Sequence, residues 1–140
     1  MDKKEIIAFI NANQACHLAT VEGDTPHTRG MMIYRADKDG IVFHTGTVKD
    51  LHKQLMANPK VELCFNNFQT HIQVRVSGTA ELQKDEKLKM EIVEARPFLK
   101  KIAESSPSGY DVLAVYRVKN CTATIWTMET NLAPKKYIKL

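Results

Sequence analysis

His71-Ile72-Gln73-Val74-Arg75-Val76-Ser77-Gly78-Thr79-Ala80-Glu81-Leu82 alternates with a period of two. Ile72, Val74 and Val76 fall on one face, and His71, Gln73, Arg75 and Ser77 on the other. Successive side chains of a strand point to opposite sides, so this stretch predicts a long strand with one buried face. Its polar row has two readings: a wet surface, or a subunit interface or ligand edge where Gln73 both donates and accepts.

Working outward, the same period recurs in short pieces. Ala15 to Val21 predicts a strand, and Glu22-Gly23-Asp24 a turn. Pro26 opens a second strand reaching to about Arg35, since proline is tolerated at a strand start. Asp37-Lys38-Asp39-Gly40 predicts a hairpin turn before a third strand, Ile41 to Thr45. Val61 to Phe65 precedes the long strand, and Val112 to Val118 and Thr122 to Thr127 predict two closing strands. Helical spacing marks residues 2–13, where Ile6, Ile7, Phe9 and Ile10 share a face, and Asp85 to Ala95, with a short piece from Pro97 to about Ala103. Thr47-Val48-Lys49-Asp50 has the outline of a capping box, followed by a stripe of Val48, Leu51 and Leu55. The expectation is a mainly β protein: a six- to seven-stranded antiparallel barrel with peripheral helices. Strands do not alternate regularly with helices, which argues against a doubly wound parallel sheet.

Composition bounds the function. The 140 residues fit one domain, with one core and no room for a cleft between two. A sizeable ligand site must therefore lie on the surface or between subunits. No apolar run approaches the roughly 20 residues that span a bilayer, and the N-terminus does not read as a signal peptide. Cys16, Cys64 and Cys121 are widely spaced with no Cys-x-x-Cys pair, which argues against a disulfide framework or zinc ribbon and for a reduced, cytoplasmic setting. The five histidines show no metal-ligand spacing. The net charge of +4 suits an anionic small molecule at least as well as nucleic acid.

Three places hold polar groups that packing does not require. In Phe43-His44-Thr45-Gly46-Thr47-Val48-Lys49 a strand turns into a helix. The helix start attracts anions, the threonines offer hydroxyls and Lys49 a charge. This reads either as a phosphate cradle or as a capped helix with a solvated lysine. In Pro26-His27-Thr28-Arg29-Gly30-Met31-Met32, Arg29 offers a fork for phosphate or carboxylate, and Gly30 allows close approach; the alternative is an exposed surface arginine. The row through Gln73 is the third. Trp126, the only tryptophan, reads as core or interface packing, or as a border for a flat ligand.

Taken in order, these segments resemble the FMN-binding split-barrel family related to pyridoxamine 5′-phosphate oxidase. Arg29-Gly30-Met31-Met32 is followed by the hairpin and by Phe43 to Leu51, similar to that family's phosphate segment. Asn58-Pro59-Lys60-Val61-Glu62-Leu63-Cys64-Phe65 resembles its Asn-Pro-x-Val-x-Leu-x-Phe strand. Gln73-Val74-Arg75-Val76-Ser77-Gly78 resembles its Gln-Val-x-x-x-Gly strand, and a late strand ends in Trp126. The resemblance spans roughly residues 5–130. It implies a homodimer with FMN at the interface and a small-molecule substrate. Arg29, Lys49, Thr45 and Thr47 would meet the phosphate, with His44 and Val48 in the same segment. The backbone of Gly30, Met31 and Met32 would pass the flavin ring, and Gln73 and Trp126 would come from the second subunit. It implies an FMN-dependent oxidoreductase, with NADH, NADPH or a similar donor. The end of the chain, Ala133-Pro134-Lys135-Lys136-Tyr137-Ile138-Lys139-Leu140, lacks the oxidase's Arg-x-His-x-Arg type segment. The chain is thus closer to small general-stress-protein-like members than to vitamin B6 oxidases. The competing expectations are a deazaflavin or haem in the same fold, FMN binding without turnover, and a basic β-barrel for single-stranded nucleic acid.

Overall fold

Asp2 and Glu5 open the first helix by exchanging bonds: the Glu5 N–H donates to the Asp2 carboxylate at 2.8 Å, and the Asp2 N–H to the Glu5 carboxylate at 2.7 Å. In the computed structural model, which describes residues 1–140, the chain runs as follows. Helix α1 (Lys3–Ala12) leads into β1 (Ala15–Glu22), β2 (Thr25–Met32), β3 (Arg35–Asp37) and β4 (Gly40–Gly46). Then come α2 (Asp50–Ala57), β5 (Lys60–Asn67), β6 (Ile72–Gln83), α3 (Glu86–Ala95) and α4 (Phe98–Ser105). A 3-10 turn (Gly109–Val112), β7 (Leu113–Trp126) and β8 (Ile138–Lys139) complete it. No helix is long and apolar enough to cross a membrane.

All pairings are antiparallel. Seven strands follow the order β2-β1-β5-β6-β7-β4-β3, and β8 pairs with β7. The two ends of that path, β2 and β3, are consecutive in the chain and separated by Ile33 and Tyr34 alone. A sheet whose outermost strands are joined by so short a link must curl until those edges approach at the link; no ladder joins β2 to β3, so the barrel is split between them. The link is tied to both sides: the Ile33 N–H donates to Gln14 O at 3.1 Å and the Tyr34 N–H to Val42 O at 2.7 Å. The expected six to seven strands are this path, and the eighth is the two-residue β8.

Alternation fills the barrel. Leu18, Phe43, Leu63, Phe65, Val74, Val76, Tyr116 and Ala123 all face inward and are fully buried or nearly so. Phe43 and Tyr116 stack with centroids 5.5 Å apart. Burying each large apolar side chain contributes about 1.5–3 kcal/mol. A smaller second core forms outside, where Leu88, Ile92 and Leu99 of α3 and α4 cover Val42, Leu113 and Val115 of β4 and β7.

Three local expectations change. The two closing strands are one, β7, bent at Asn120, whose φ is +55°. β6 shifts register opposite that bend, between Ser77 and Thr79. Gly78 fits there because a Cβ would stand 2.6 Å from Val118 Cγ1 and 2.8 Å from Lys119 O. The second strand stops at Met32, and Arg35–Asp37 is a separate strand. Finally, the Thr47–Asp50 capping box does not form. The Thr47 N–H is spent on Val112 O at 2.8 Å and the Lys49 N–H on Gly46 O at 3.0 Å. The helix therefore starts two residues later, with Lys49 at the cap position and no side-chain cap.

Candidate functional site

Arg29 sits on β2 facing the same side as buried Leu18 of β1, its cross-strand partner. Its guanidinium is half-buried under α2. Nη1 donates to Thr20 Oγ1 at 2.8 Å and, more weakly, to Leu18 O at 3.4 Å; Nη2 donates to Gln54 Oε1 at 2.6 Å. The Thr20 hydroxyl in turn donates to the same Gln54 oxygen at 2.6 Å. Every partner is neutral, and Arg29 belongs to none of the ion pairs. Burial pulls its pKa below the usual value, partly offset by the carboxylate of Asp50 in the first turn of α2. The chain thus holds an arginine partly out of water, without a counter-charge, beside an uncapped helix start.

The turn from β4 to α2 brings the other candidates of this group close. Thr45 is buried and faces inward, paired across to Ala114. Thr47 is half-buried, Lys49 is exposed and unpaired, and Val48 is 77% exposed. The free N–H groups at the start of α2 and the Lys49 ammonium suit an anion. His52 and Tyr116 pin α2 to the barrel through a 2.7 Å bond between Nδ1 and the phenol.

His44 lies on the opposite face of β4 from Phe43, toward α4. Its ring is tilted against Phe98, and its Nε2 accepts from Arg96 Nη1 at 2.8 Å. Arginine can only donate, so Nε2 is the acceptor and the ring proton sits on Nδ1. Burial, then the positive charges of Arg96 and Lys49, hold its pKa down at about 4. Arg96 also donates to Ile33 O at 2.7 Å and lies over the Tyr34 ring at 5.4 Å, bracing the link that closes the barrel.

The remaining candidates share the outer face of the sheet. Registers place Gly30, His17, Cys64, Arg75 and Thr124 in one row across β2, β1, β5, β6 and β7. Two residues along each strand lies the parallel row of Met32, Ala15, Asn66, Gln73 and Trp126, in which Met32 pairs with Ala15 and Gln73 with both Asn66 and Trp126. Gln73 Nε2 donates to Asn66 Oδ1 at 2.9 Å, and Trp126 Nε1 to Asn131 Oδ1 at 2.7 Å. Met32 is 54% exposed, whereas Met31 points inward against the core. Beside Gln73 and Trp126, the 127–137 segment leaves and returns to pair at β8, enclosing a groove of about 730 Å³ that Arg75, Lys135 and Lys136 also line.

The structure therefore sorts the candidates into two sets. Arg29, Thr45, Thr47 and Lys49 gather around the start of α2, with Gly30 and Met32 on the neighbouring outer edge. Gln73 and Trp126 form a separate pair, with β1 and β5 between β2 and β6. Counted along the curved sheet at about 4.8 Å per strand step, Gln73 is three strands and Trp126 four strands from Met32, paths of roughly 14 and 19 Å. Sequence reasoning missed Gln54, Thr20 and Arg96. Gln54 carried a signal: it falls on the apolar stripe of α2, three residues after Leu51, where a polar side chain needs a partner. Arg96, between two helices, carried none.

Comparison with known proteins gives a consistent result. The sequence matches the family described as pyridoxamine 5′-phosphate oxidase over residues 2–123. It is 37% identical over 70 residues to a pyridoxine/pyridoxamine 5′-phosphate oxidase of Rhodopseudomonas palustris, covering 49% of this chain and 33% of that protein. The chain spans well under half the length of the curated relatives it matches. Among solved structures, a NimC/NimA family protein from Clostridium acetobutylicum has a TM-score of 0.77 at 23% identity, covering 98% of this chain and 92% of that one. General stress protein 26 from Bacillus anthracis has a TM-score of 0.73 at 21% identity, with both chains covered fully, 100% each. A pyridoxamine 5′-phosphate oxidase-related, FMN-binding protein from Nostoc punctiforme has a TM-score of 0.67 at 13% identity, covering 99% and 96%. At these identities the structural likeness is one of fold.

Proposed function

We propose, because this chain belongs to the pyridoxamine 5′-phosphate oxidase family, that it is an FMN-binding oxidoreductase acting as a homodimer. The observation that carries the reading is Arg29: a half-buried guanidinium with neutral partners only, next to the uncapped start of α2 and to unpaired Lys49. A buried cation without a counter-charge is costly unless an anion completes it. The FMN phosphate is such an anion, and Arg29, Lys49, Thr47 and the first N–H groups of α2 would hold it. Thr45 adds a hydroxyl at the inner side of the same turn.

β2 ends the strand path, so half of its backbone groups face away from β1. Gly30, with no side chain, and the backbone of Met31 and Met32 would border the flavin ring there. N–H donors and positive charge beside the ring stabilise the negative charge that reduction places on it. When bound, the flavin supplies the hydride chemistry. The residues of this chain bind and orient it and keep water from one face.

The second half of the site would come from a second copy. A two-fold axis parallel to the strands near β5 lays β2 of one protomer over β6 and β7 of the other. It brings Met32 opposite the row positions of Gln73 and Trp126 in the same register row. The face it covers carries Gly30, Ala15, His17 and Cys64. The four helices pack elsewhere: α1 at β3, α2 across β1 and β4, α3 and α4 against the outer side of β4 and β7.

Electrons would come from a reduced nicotinamide and pass to a small molecule. Titration with FMN tests the binding claim. Saturable quenching of flavin fluorescence at one flavin per chain supports it, and no quenching at micromolar protein refutes it. Oxidation of NADH or NADPH by the loaded protein with an electron acceptor tests turnover; none with either donor would leave FMN bound without this activity.

A further inference from the structure

We infer that Gln54 is a positioning residue that selects phosphorylated flavin, by holding the Arg29 guanidinium in place without neutralising it. The inference rests on the phosphate reading of Arg29 and adds to it a residue that does not itself touch the ligand.

Gln54 is 5% exposed, on the inward stripe of α2. Its Oε1 receives two bonds of 2.6 Å, from Arg29 Nη2 and from the Thr20 hydroxyl. Both donors fix the orientation of the amide, because the arginine can only donate. Thr20, 1% exposed, also accepts from Arg29 Nη1 at 2.8 Å. Thus Nη1 and Nη2 both grip a single acceptor pair, Thr20 Oγ1 and Gln54 Oε1. The fork is held at one edge, and its Nε–H and one Nη2–H have no protein acceptor.

The choice of amide decides what the arginine can do. A carboxylate of the same length at this position would form a buried ion pair and spend the charge inside the protein. An apolar side chain would leave the fork held through Nη1 alone, to Thr20 Oγ1 and Leu18 O, with Nη2 unanchored. The neutral oxygen of Gln54 orients the guanidinium and leaves its charge uncompensated. The carboxylate whose charge acts on Arg29, that of Asp50, makes no ion pair with it.

The test compares FMN with riboflavin, which has the same ring and ribityl chain and no phosphate. Both are titrated against the full-length protein and its variants by flavin fluorescence. Gln54→Glu is expected to lower the ratio of FMN to riboflavin affinity at least tenfold while riboflavin affinity stays within twofold. Gln54→Met, close in volume and uncharged, is expected to lower the ratio at least threefold. It supplies the reading if the glutamate variant does not fold. A merely structural role would weaken both flavins together and leave the ratio alone. An unchanged ratio in a folded variant, or equal loss of both flavins, overturns the inference while the phosphate reading stands. Wild-type protein that binds riboflavin as tightly as FMN overturns the phosphate reading, and the role of Gln54 with it.

Discussion

Gln73 of β6 and Trp126 of β7 are direct cross-strand partners, and the row they share continues across the outer face of the barrel to Met32 of β2. Arg29, whose neighbour Gly30 lies on that same face, belongs to the other end. One chain thus carries the two sets of candidate residues on different strands of one surface.

This arrangement makes complementation the test of a shared site. Arg29→Ala and Gln73→Ala should each lose FMN affinity as separate homodimers. Mixed and allowed to exchange, they form heterodimers in which one of the two sites is wild type. With random exchange, about a quarter of all sites should regain wild-type affinity in a flavin titration. No regain after exchange would mean that both residues serve a site within one chain.

The phosphate end has its own test. Lys49→Ala should cost about 1.5–3 kcal/mol in FMN binding, the worth of a hydrogen bond to a charged group. Arg29→Ala should cost at least as much, since Arg29 is held in place and partly desolvated while Lys49 is exposed. Equilibrium titration gives both numbers. Wild-type affinity in Lys49→Ala would show that the phosphate is held elsewhere.

Protonation of His44 predicts a pH effect on stability. Its pKa is depressed to about 4 in the folded chain, against about 6.5 when unfolded. The unfolded state therefore binds more protons between these values, and stability falls as pH drops from about 6.5 toward 4. The full span corresponds to roughly 3 kcal/mol at most. Urea unfolding at pH 7 and pH 5 should show a smaller loss for His44→Gln than for wild type. Equal losses would mean that His44 is not the group responsible.

Thiol chemistry separates the three cysteines. Burial, with a smaller contribution from Cys64, pushes Cys16 up to about 12, and burial pushes Cys121 up to about 11. Cys64 is half-buried on the outer face. Cys64 lies on the face that the proposed dimer covers, so a disulfide reagent at pH 8 should label none of the three quickly in the assembled dimer. Chains dissociated by dilution should show a fast phase at Cys64, with the other two reacting only on unfolding, because the thiolate is the reactive form. Cys64→Ser should abolish the fast phase. A fast phase that survives would place an accessible thiol where the barrel wall predicts none.

Much of this was legible in the sequence, for physical reasons. The period-two pattern at His71–Leu82 fixes which face of β6 is buried, because a one-residue slip would turn every side chain over. The same pattern could not reveal that Val112–Val118 and Thr122–Thr127 form one strand. That depends on a tertiary contact, the bend of β7 at Asn120 against Gly78. The capping outline at Thr47 was misleading because Val112 O, remote in sequence, takes the Thr47 N–H. Among the candidate residues, Arg29 and Lys49 stood out as charges in strand and turn. Gln54 and Thr20 were hidden, since a buried polar pair is defined by what it touches, and sequence spacing does not report that.

The central claim is a flavin held between two chains. Sedimentation velocity of the protein mixed with FMN, followed at a visible wavelength where only flavin absorbs, tests it most directly. With the flavin held between two chains, its signal moves with a species of two chains, at one FMN per chain. Flavin that stays behind unsedimented, or that travels with a single chain at full stoichiometry, would contradict it.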